Sequence, residues 1–189
     1  LRGLIEYSNV CTSDCRYCGI RHGNRRLSRY RMDETALLEV VQEGYSRGFR
    51  SFVLQGGEDP DYPTKKICRL VQLLKDQGRA DAAITLSCGM RSREEYLAMA
   101  EAGADRYLLR FETSDRQLHF SLRRCRLEDR LKALEGIRAA GLQVGSGFGY
   151  TSGTGEVNAD TPVAGTGSGA LLGHIAPEIG YWWKPDVMV

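Results

Sequence analysis

The sequence contains no uninterrupted apolar run of the roughly eighteen residues that a membrane-spanning helix needs. Nothing near its start has the charged, then apolar, then small-residue order of a secretion signal. From both absences we expect a cytoplasmic protein with no membrane partner. Neither sign of charge dominates: 26 Lys and Arg stand against 24 Asp and Glu, a net of +2, so a nucleic-acid partner is not expected. Six cysteines without a secretion signal favour a thiolate metal site over a disulfide framework. What is present is a chain of 189 residues, 42% of them hydrophobic, enough for one domain with its own core. A monomer is expected. Basic residues concentrate only in "RHGNRRLSRYR", residues 21 to 31. That stretch reads either as a phosphate-binding patch or as a solvated loop beside a cofactor, and short basic patches are weak motifs, which favours the loop.

Strand and helix patterns alternate. "LIEYS", residues 4 to 8, reads as a strand running into "NVCTSDCRYCGIRHGN". "MDETALLEVVQEGYSRG" reads as a helix capped by Asp33, apolar at Ala36, Leu37, Val40 and Val41, and stopped at Gly48. Strand "SFVLQGGED" and helix "TKKICRLVQLLKDQG", stopped at Gly78, repeat the unit. Strand "AAITLSCG", helix "SREEYLAMAEAG", strand "RYLLRFET", helix "LEDRLKALEGIRAAG" and strand "QVGSGFG" continue it. The fold class is therefore α/β with parallel strands, either a TIM-like barrel or an open doubly wound sheet. Cys11, Gly56 to Glu58, Ser87, Glu112 and Ser146 fall at or after the strands' C-terminal ends, the rim on which both folds build sites. From about residue 150 the sequence turns rich in Gly, Ser and Thr and loses its periodicity. We divide it into a core over 1–149 and an irregular tail over 150–189, where Trp182 and Trp183 either anchor the tail or lie exposed.

Cys11, Cys15 and Cys18 form a compact triplet with no fourth cysteine nearby. A structural zinc site takes four protein ligands, whereas three thiolates on a 4Fe-4S cubane leave one iron open to a small molecule. The alternative from another class is a zinc-binding module with His22 as fourth ligand. The spacing of the cysteines, the Tyr17 before the third and the strand before the loop resemble the radical S-adenosylmethionine (SAM) superfamily. That resemblance implies a partial barrel of about five βα units, with a 4Fe-4S cluster and SAM as cofactors. It further implies reductive cleavage of SAM to methionine and a 5′-deoxyadenosyl radical. "RGLIEYSNVCTSDCRYCGIR", "FVLQGGEDP", "TLSCGMRSREEYLAMAEAGADRYLLRFET" and "LEDRLKALEGIRAAGLQVGSGF" are similar to the branch of FeFe-hydrogenase maturases of the HydE type, with methylornithine synthase and biotin synthase as relatives.

Carried over residue by residue, the resemblance implies Cys11, Cys15 and Cys18 as cluster ligands and Tyr17 near the adenine. Gly56, Gly57 and Glu58 would receive the methionine amino group, although "QGGED" alone also reads as an ordinary glycine turn. Glu112 would contact SAM, and Arg130 would pair with its carboxylate; a solvated helix charge is the other reading of Arg130. Thr85, Ser87 and Arg110 would face the substrate, with Arg110 and Glu112 as the residues expected to take part in catalysis. A buried Arg110 would need an anion. Cys68 reads as a core residue, Cys125 as a loop thiol, and Cys88 as lying beside the cavity. The implied partners are a small-molecule or iron-complex substrate and an electron donor such as ferredoxin or flavodoxin. After "GSGF" this sequence goes directly to "GYTSGTGEVNADTPVAG", where the family continues with a helix and a sixth strand. The expectation is that cluster assembly survives while turnover is weak.

Overall fold

The structure, a computed structural model, describes residues 2–76 and 79–147. Gly78, the tail over 150–189 and both tryptophans lie outside the described residues. Five parallel strands form one sheet in the order β1 (Gly3–Ser8), β2 (Ser51–Gly56), β3 (Ala83–Ser87), β4 (Arg106–Leu108) and β5 (Gln143–Gly145). Between them run α1 (Glu34–Ser46), α2 (Thr64–Asp76), α3 (Arg93–Glu101), α4 (Arg116–Arg123) and α5 (Leu127–Ala139). Because each strand lies beside its predecessor, the winding never reverses. A doubly wound sheet has a switch point; this order is that of a barrel wall.

Alternation along the strands separates two faces. Ile5, Leu54, Leu86 and Tyr107 stand in register and are buried against the helices. There they meet Leu37 and Val41 of α1, Ile67, Leu70, Val71 and Leu74 of α2, Tyr96 and Met99 of α3, and Ile137 of α5. Each such side chain contributes on the order of 1.5–3 kcal/mol by leaving water. Residues of the other parity, Glu6, Gln55 and Ser87 in one row and Val53, Thr85, Arg106 and Gln143 in the next, face the inside of the wall. That inner face is largely polar. Gln55 donates to Glu6 Oε1 at 3.1 Å and Arg106 to Gln143 Oε1 at 2.5 Å across it.

Local signals set the helix ends. Asp33 accepts from Ala36 N at 2.7 Å to start α1, and Gly48, at φ 92°, turns the chain after it. Ser92 and Glu95 cap α3 reciprocally. Two departures from the sequence pattern matter. The strand expected through "RYLLRFET" ends at Leu108, because Phe111 N and Glu112 N both turn to Gly147 O and Glu112 takes a φ of 70° that no strand permits. The second is α4, which the pattern did not suggest. Asp115 starts it by accepting from Gln117 N and Leu118 N, each at 2.9 Å, and it buries only His119 and Leu122.

Candidate functional site

The cysteine loop leaves β1 at a register break between Glu6 and Ser8. All three thiols are free; Cys15 is buried, and Cys11 and Cys18 are half-buried. Burial pushes the Cys15 thiol up to about 11, so a metal must displace its proton. The loop is tightly knit. Cys18 N donates to Cys15 O at 3.0 Å and His22 N to Ser13 O at 2.8 Å, while the Arg29 guanidinium donates to four carbonyls, those of Asn9, Ile20, Arg21 and Asn24. A buckle closes the far end of the loop. Arg31 grips Asp59 with Nε at 2.7 Å and Nη2 at 2.9 Å, and Ser8 Oγ donates to the same carboxylate at 2.5 Å. Burial alone would raise the Asp59 carboxyl, but these donors and Asp61 N hold it below its ordinary range.

The turn after β2 braces the loop from behind. A methyl group on Gly57 would lie 2.2 Å from Val10 O and 2.6 Å from Cys11 Cβ, and one on Gly56 would lie 2.6 Å from the Tyr7 ring. Only glycine admits this approach. Glu58 then binds both sides of the gap. Its N–H points at Cys11 Sγ at 3.3 Å, its carbonyl accepts from Thr12 N at 3.1 Å, and its carboxylate accepts from Ser13 Oγ at 2.6 Å and from Met90 N at 3.2 Å.

On the opposite side of the loop stands Glu112, buried and held at its positive φ. Tyr17 OH donates to Glu112 Oε1 at 3.3 Å, and Arg123 Nη1 donates to Tyr17 OH at 2.5 Å while lying 3.7 Å from Glu112 Oε1. Arg110 Nη2 approaches Oε2 at 3.2 Å as an ion pair without hydrogen-bond alignment, so Oε2 has a counter-charge but no donor. Arg110 thus has its anion. Burial raises the Glu112 carboxyl above its ordinary range against the pull of Arg110, Arg123 and Tyr17. Sequence reasoning missed Arg123 along with α4, whose end docks onto the cysteine loop: Arg16 N donates to Leu122 O at 2.8 Å, and Cys15 Sγ lies 4.0 Å from Arg123 O.

The remaining expected residues divide. Thr85 and Ser87 lie on the inner face, and Thr85 Oγ1 is buried without a partner. Arg130 is no solvated charge: it is 1% exposed, on the buried face of the first turn of α5, with its Nε unpartnered. Ser146 Oγ is occupied by Leu109 O at 2.8 Å. Cys88 does not border the inner cavity. It is fully buried on the helix side, 3.1 Å from Tyr107 OH. Cys68 packs against the core, and Cys125 lies in the loop after α4 with its sulfur 3.7 Å from His119 Nε2. His22 is exposed.

These residues fit a cluster held by thiolates beside a charged small cofactor. The donor set is three thiols on one braced loop, with an N–H aimed at one sulfur, as iron–sulfur ligands accept. Around it lie buried groups lacking partners: Thr85 Oγ1, Arg130 Nε and the donor-free Glu112 Oε2. Among the described residues no three His, Cys, Asp or Glu side chains converge to hold a single ion. A cubane does not ask that, since each thiolate binds a different iron.

Comparison with known proteins agrees with this geometry. The family model of the Radical SAM superfamily matches residues 5–162. The chain is 43% identical over 148 residues to the FeFe hydrogenase maturase subunit HydE of Thermotoga maritima, covering 78% of this chain and 42% of that protein. It is 30% identical over 125 residues to 3-methylornithine synthase of Methanosarcina acetivorans, covering 65% and 35%. Biotin synthase of Sphingopyxis alaskensis is 29% identical over 156 residues, covering 79% and 45%. The chain therefore spans less than half the length of these relatives. In fold it resembles the crystal structure of methylornithine synthase (PylB), with a TM-score of 0.72 and 27% identity over 78% of this chain and 44% of that one. HydG, a maturase of the FeFe hydrogenase, is similar at TM-score 0.71 and 23% identity, covering 79% and 35%. No described helix is long and apolar enough to cross a membrane.

Proposed function

The chain belongs to the radical SAM superfamily, and from that premise we propose that it is the cluster-bearing part of a radical SAM enzyme of FeFe-hydrogenase maturation. The observation that carries this reading is the placement of Cys11, Cys15 and Cys18 on one loop, between the Gly57–Glu58 brace and the Tyr17–Glu112–Arg123 cluster. When bound, the cluster and SAM supply one-electron cleavage of a sulfonium bond and the radical that follows from it.

The chain's own residues hold and orient these groups. The three cysteines ligate iron. Glu58 N–H stabilises the sulfur of Cys11, and the Gly56–Gly57 turn lets the chain after β2 lie directly against Val10, Cys11 and the Tyr7 ring. Glu112, charge-balanced by Arg110 and Arg123, accepts from the polar groups of SAM, and Arg130 meets its carboxylate. Tyr17 serves the site through its hydroxyl, bound to Glu112 and Arg123, as well as through its ring. Thr85 and Ser87 on the inner face, with Arg110, receive a small-molecule or iron-complex substrate, and an electron carrier such as ferredoxin or flavodoxin supplies the electron.

The HydE assignment rests on the 43% identity to the Thermotoga maritima protein; methylornithine synthase and biotin synthase chemistry are the alternatives. We divide the chain into a radical SAM core over 1–149 and a tail over 150–189. Cluster assembly is proposed to outlast turnover in this chain, which carries under half of its relatives' length.

The test is anaerobic reconstitution with iron and sulfide, followed by electron paramagnetic resonance of the reduced protein. A cluster signal that shifts when SAM is added supports the reading. A colourless zinc-loaded protein, or a cluster indifferent to SAM, would overturn it.

A further inference from the structure

Glu112 is carried by a turn that α4 pins from behind. Thr113 N donates to Phe111 O at 2.9 Å, closing a three-residue turn over Glu112 at φ 70°, the rare and strained sense. On the β5 side, Phe111 N and Glu112 N hold Gly147 O at 3.1 and 3.2 Å. On the other side the imidazole of His119 reaches the same Phe111 carbonyl, its Nδ1 lying 3.1 Å from the oxygen. Side chains of a helix lean toward its N-terminus, so a residue in the first turn of α4 can reach back over the chain that enters it. Thr113 Oγ1 accepts from Asp115 N at 3.2 Å and ties the turn to the cap of that helix.

His119 is fully buried, and a buried imidazole costs free energy unless both its nitrogens are met. An apolar side chain would pack here at less cost, so packing does not account for this residue. Because a carbonyl oxygen can only accept, Nδ1 carries the hydrogen, which leaves Nε2 as an acceptor. Cys125 Sγ stands 3.7 Å from Nε2 and supplies the donor. Burial, and then Arg123, lower the imidazole below its ordinary range, while burial raises the Cys125 thiol against the pull of Arg123; the ring is neutral and the thiol keeps its hydrogen. Four positions on, and so on the same side of α4, Arg123 Nη1 lies 3.7 Å from Glu112 Oε1. One helix thus holds Glu112 twice, by the backbone before it through His119 and by its carboxylate through Arg123.

We propose that His119 is a positioning residue for SAM binding: through the Phe111 carbonyl it locks the turn that presents the Glu112 carboxylate to the site, and the Cys125 thiol keeps its ring in the Nδ1–H form. The proposal rests on the reading of Glu112 as a SAM contact given above. His119 touches no cofactor; it acts only through the backbone of its neighbour, and its removal lets the strained turn relax and the carboxylate move.

The first measurement uses the full chain before iron is added. Nitrogen-15 NMR of the histidine rings should find the hydrogen of His119 on Nδ1, its signal assigned among the chain's three histidines by its loss in His119→Asn. Asn carries its amide where Nδ1 lies and keeps the bond to Phe111 O, whereas Gln carries it where Nε2 lies and loses that bond. Both are polar and no larger than imidazole, so a difference between them reports geometry. Amide exchange at Phe111, Glu112 and Thr113 should quicken about tenfold in His119→Gln and stay within about twofold in His119→Asn. After anaerobic reconstitution all three chains should hold equal iron. The dissociation constant for SAM, read from the shift of the reduced-cluster signal, should then rise about tenfold in His119→Gln alone. A hydrogen on Nε2, or exchange and SAM affinity that change alike in both variants or in neither, overturns the proposal. If the exchange pattern is as expected but the reconstituted unaltered chain takes up no SAM, it is the functional reading that fails, and the role in SAM binding falls with it.

Discussion

Gly57 backs onto Cys11 so closely that the glycine hydrogen faces the cysteine's own β-carbon; a methyl there would meet it at 2.6 Å, and the Val10 carbonyl at 2.2 Å. The obstacle is backbone, which cannot swing aside as a flexible side chain would. Gly57→Ala is therefore expected to displace the first cluster ligand while leaving the distant helices folded. Iron and sulfide per chain after reconstitution should fall to less than about half, with circular dichroism nearly unchanged; full iron content in the variant would contradict the brace.

The charge balance at Glu112 gives a pH prediction. Burial raises this carboxyl, and Arg110 and Arg123 pull it back. Arg123→Met removes one of the two cations, so the carboxyl rises further and becomes neutral at a higher pH as acid is added. The low-pH limb of SAM affinity, read on the reconstituted protein, should move upward by about one pH unit, and Arg123→Lys should restore most of it. An unmoved limb would mean that Arg123 braces α4 without tuning the carboxylate.

For the Arg31–Asp59 buckle the sign runs the other way. Asp59 is held below its unfolded value of about 3.9. Its contribution is complete above that value and is lost as pH falls through the lower folded one. Asp59→Asn should cost about 1–3 kcal/mol at pH 7 and give a melting temperature that declines less steeply between pH 5 and 3 than that of the unaltered chain. Parallel declines in thermal scans would reject the buckle as an acid-sensitive contact.

Cysteine substitution separates the ligands from the rest. Cys11→Ala, Cys15→Ala and Cys18→Ala should each abolish the brown colour of the reconstituted protein, because two thiolates do not retain a cubane. Cys68→Ser should leave the visible spectrum unchanged, since Cys68 packs against the core. A bleached Cys68→Ser protein would show that the ligand set has been misassigned.

Local patterns in the sequence carried far. The spacing of Cys11, Cys15 and Cys18, the Asp33 cap and the alternation of strand and helix are properties of neighbouring residues, and the structure has each of them. The alternation alone did not separate barrel from open sheet, because strand order is a relation between segments thirty or more residues apart; the resemblance to the radical SAM superfamily implied the partial barrel, and the strand order agrees with it. Arg123 was hidden for the same reason: its hydroxyl partner, Tyr17, is 106 positions away, and α4 has only Leu118, Phe120 and Leu122 as apolar marks in a short basic run, with Asp115 as its cap. Cys88 was a different failure. Consecutive residues leaving a strand face opposite sides, so Ser87 toward the inner face already required Cys88 to face the helices.

Glu112 sits at φ 70°, a region costly for a residue with a β-carbon. Glycine or asparagine would relax that backbone, and either would discard the carboxylate. Selection for stability and selection for chemistry therefore oppose each other at this one residue. A library screened only for heat resistance would drift away from glutamate here, and one screened for SAM binding would hold it.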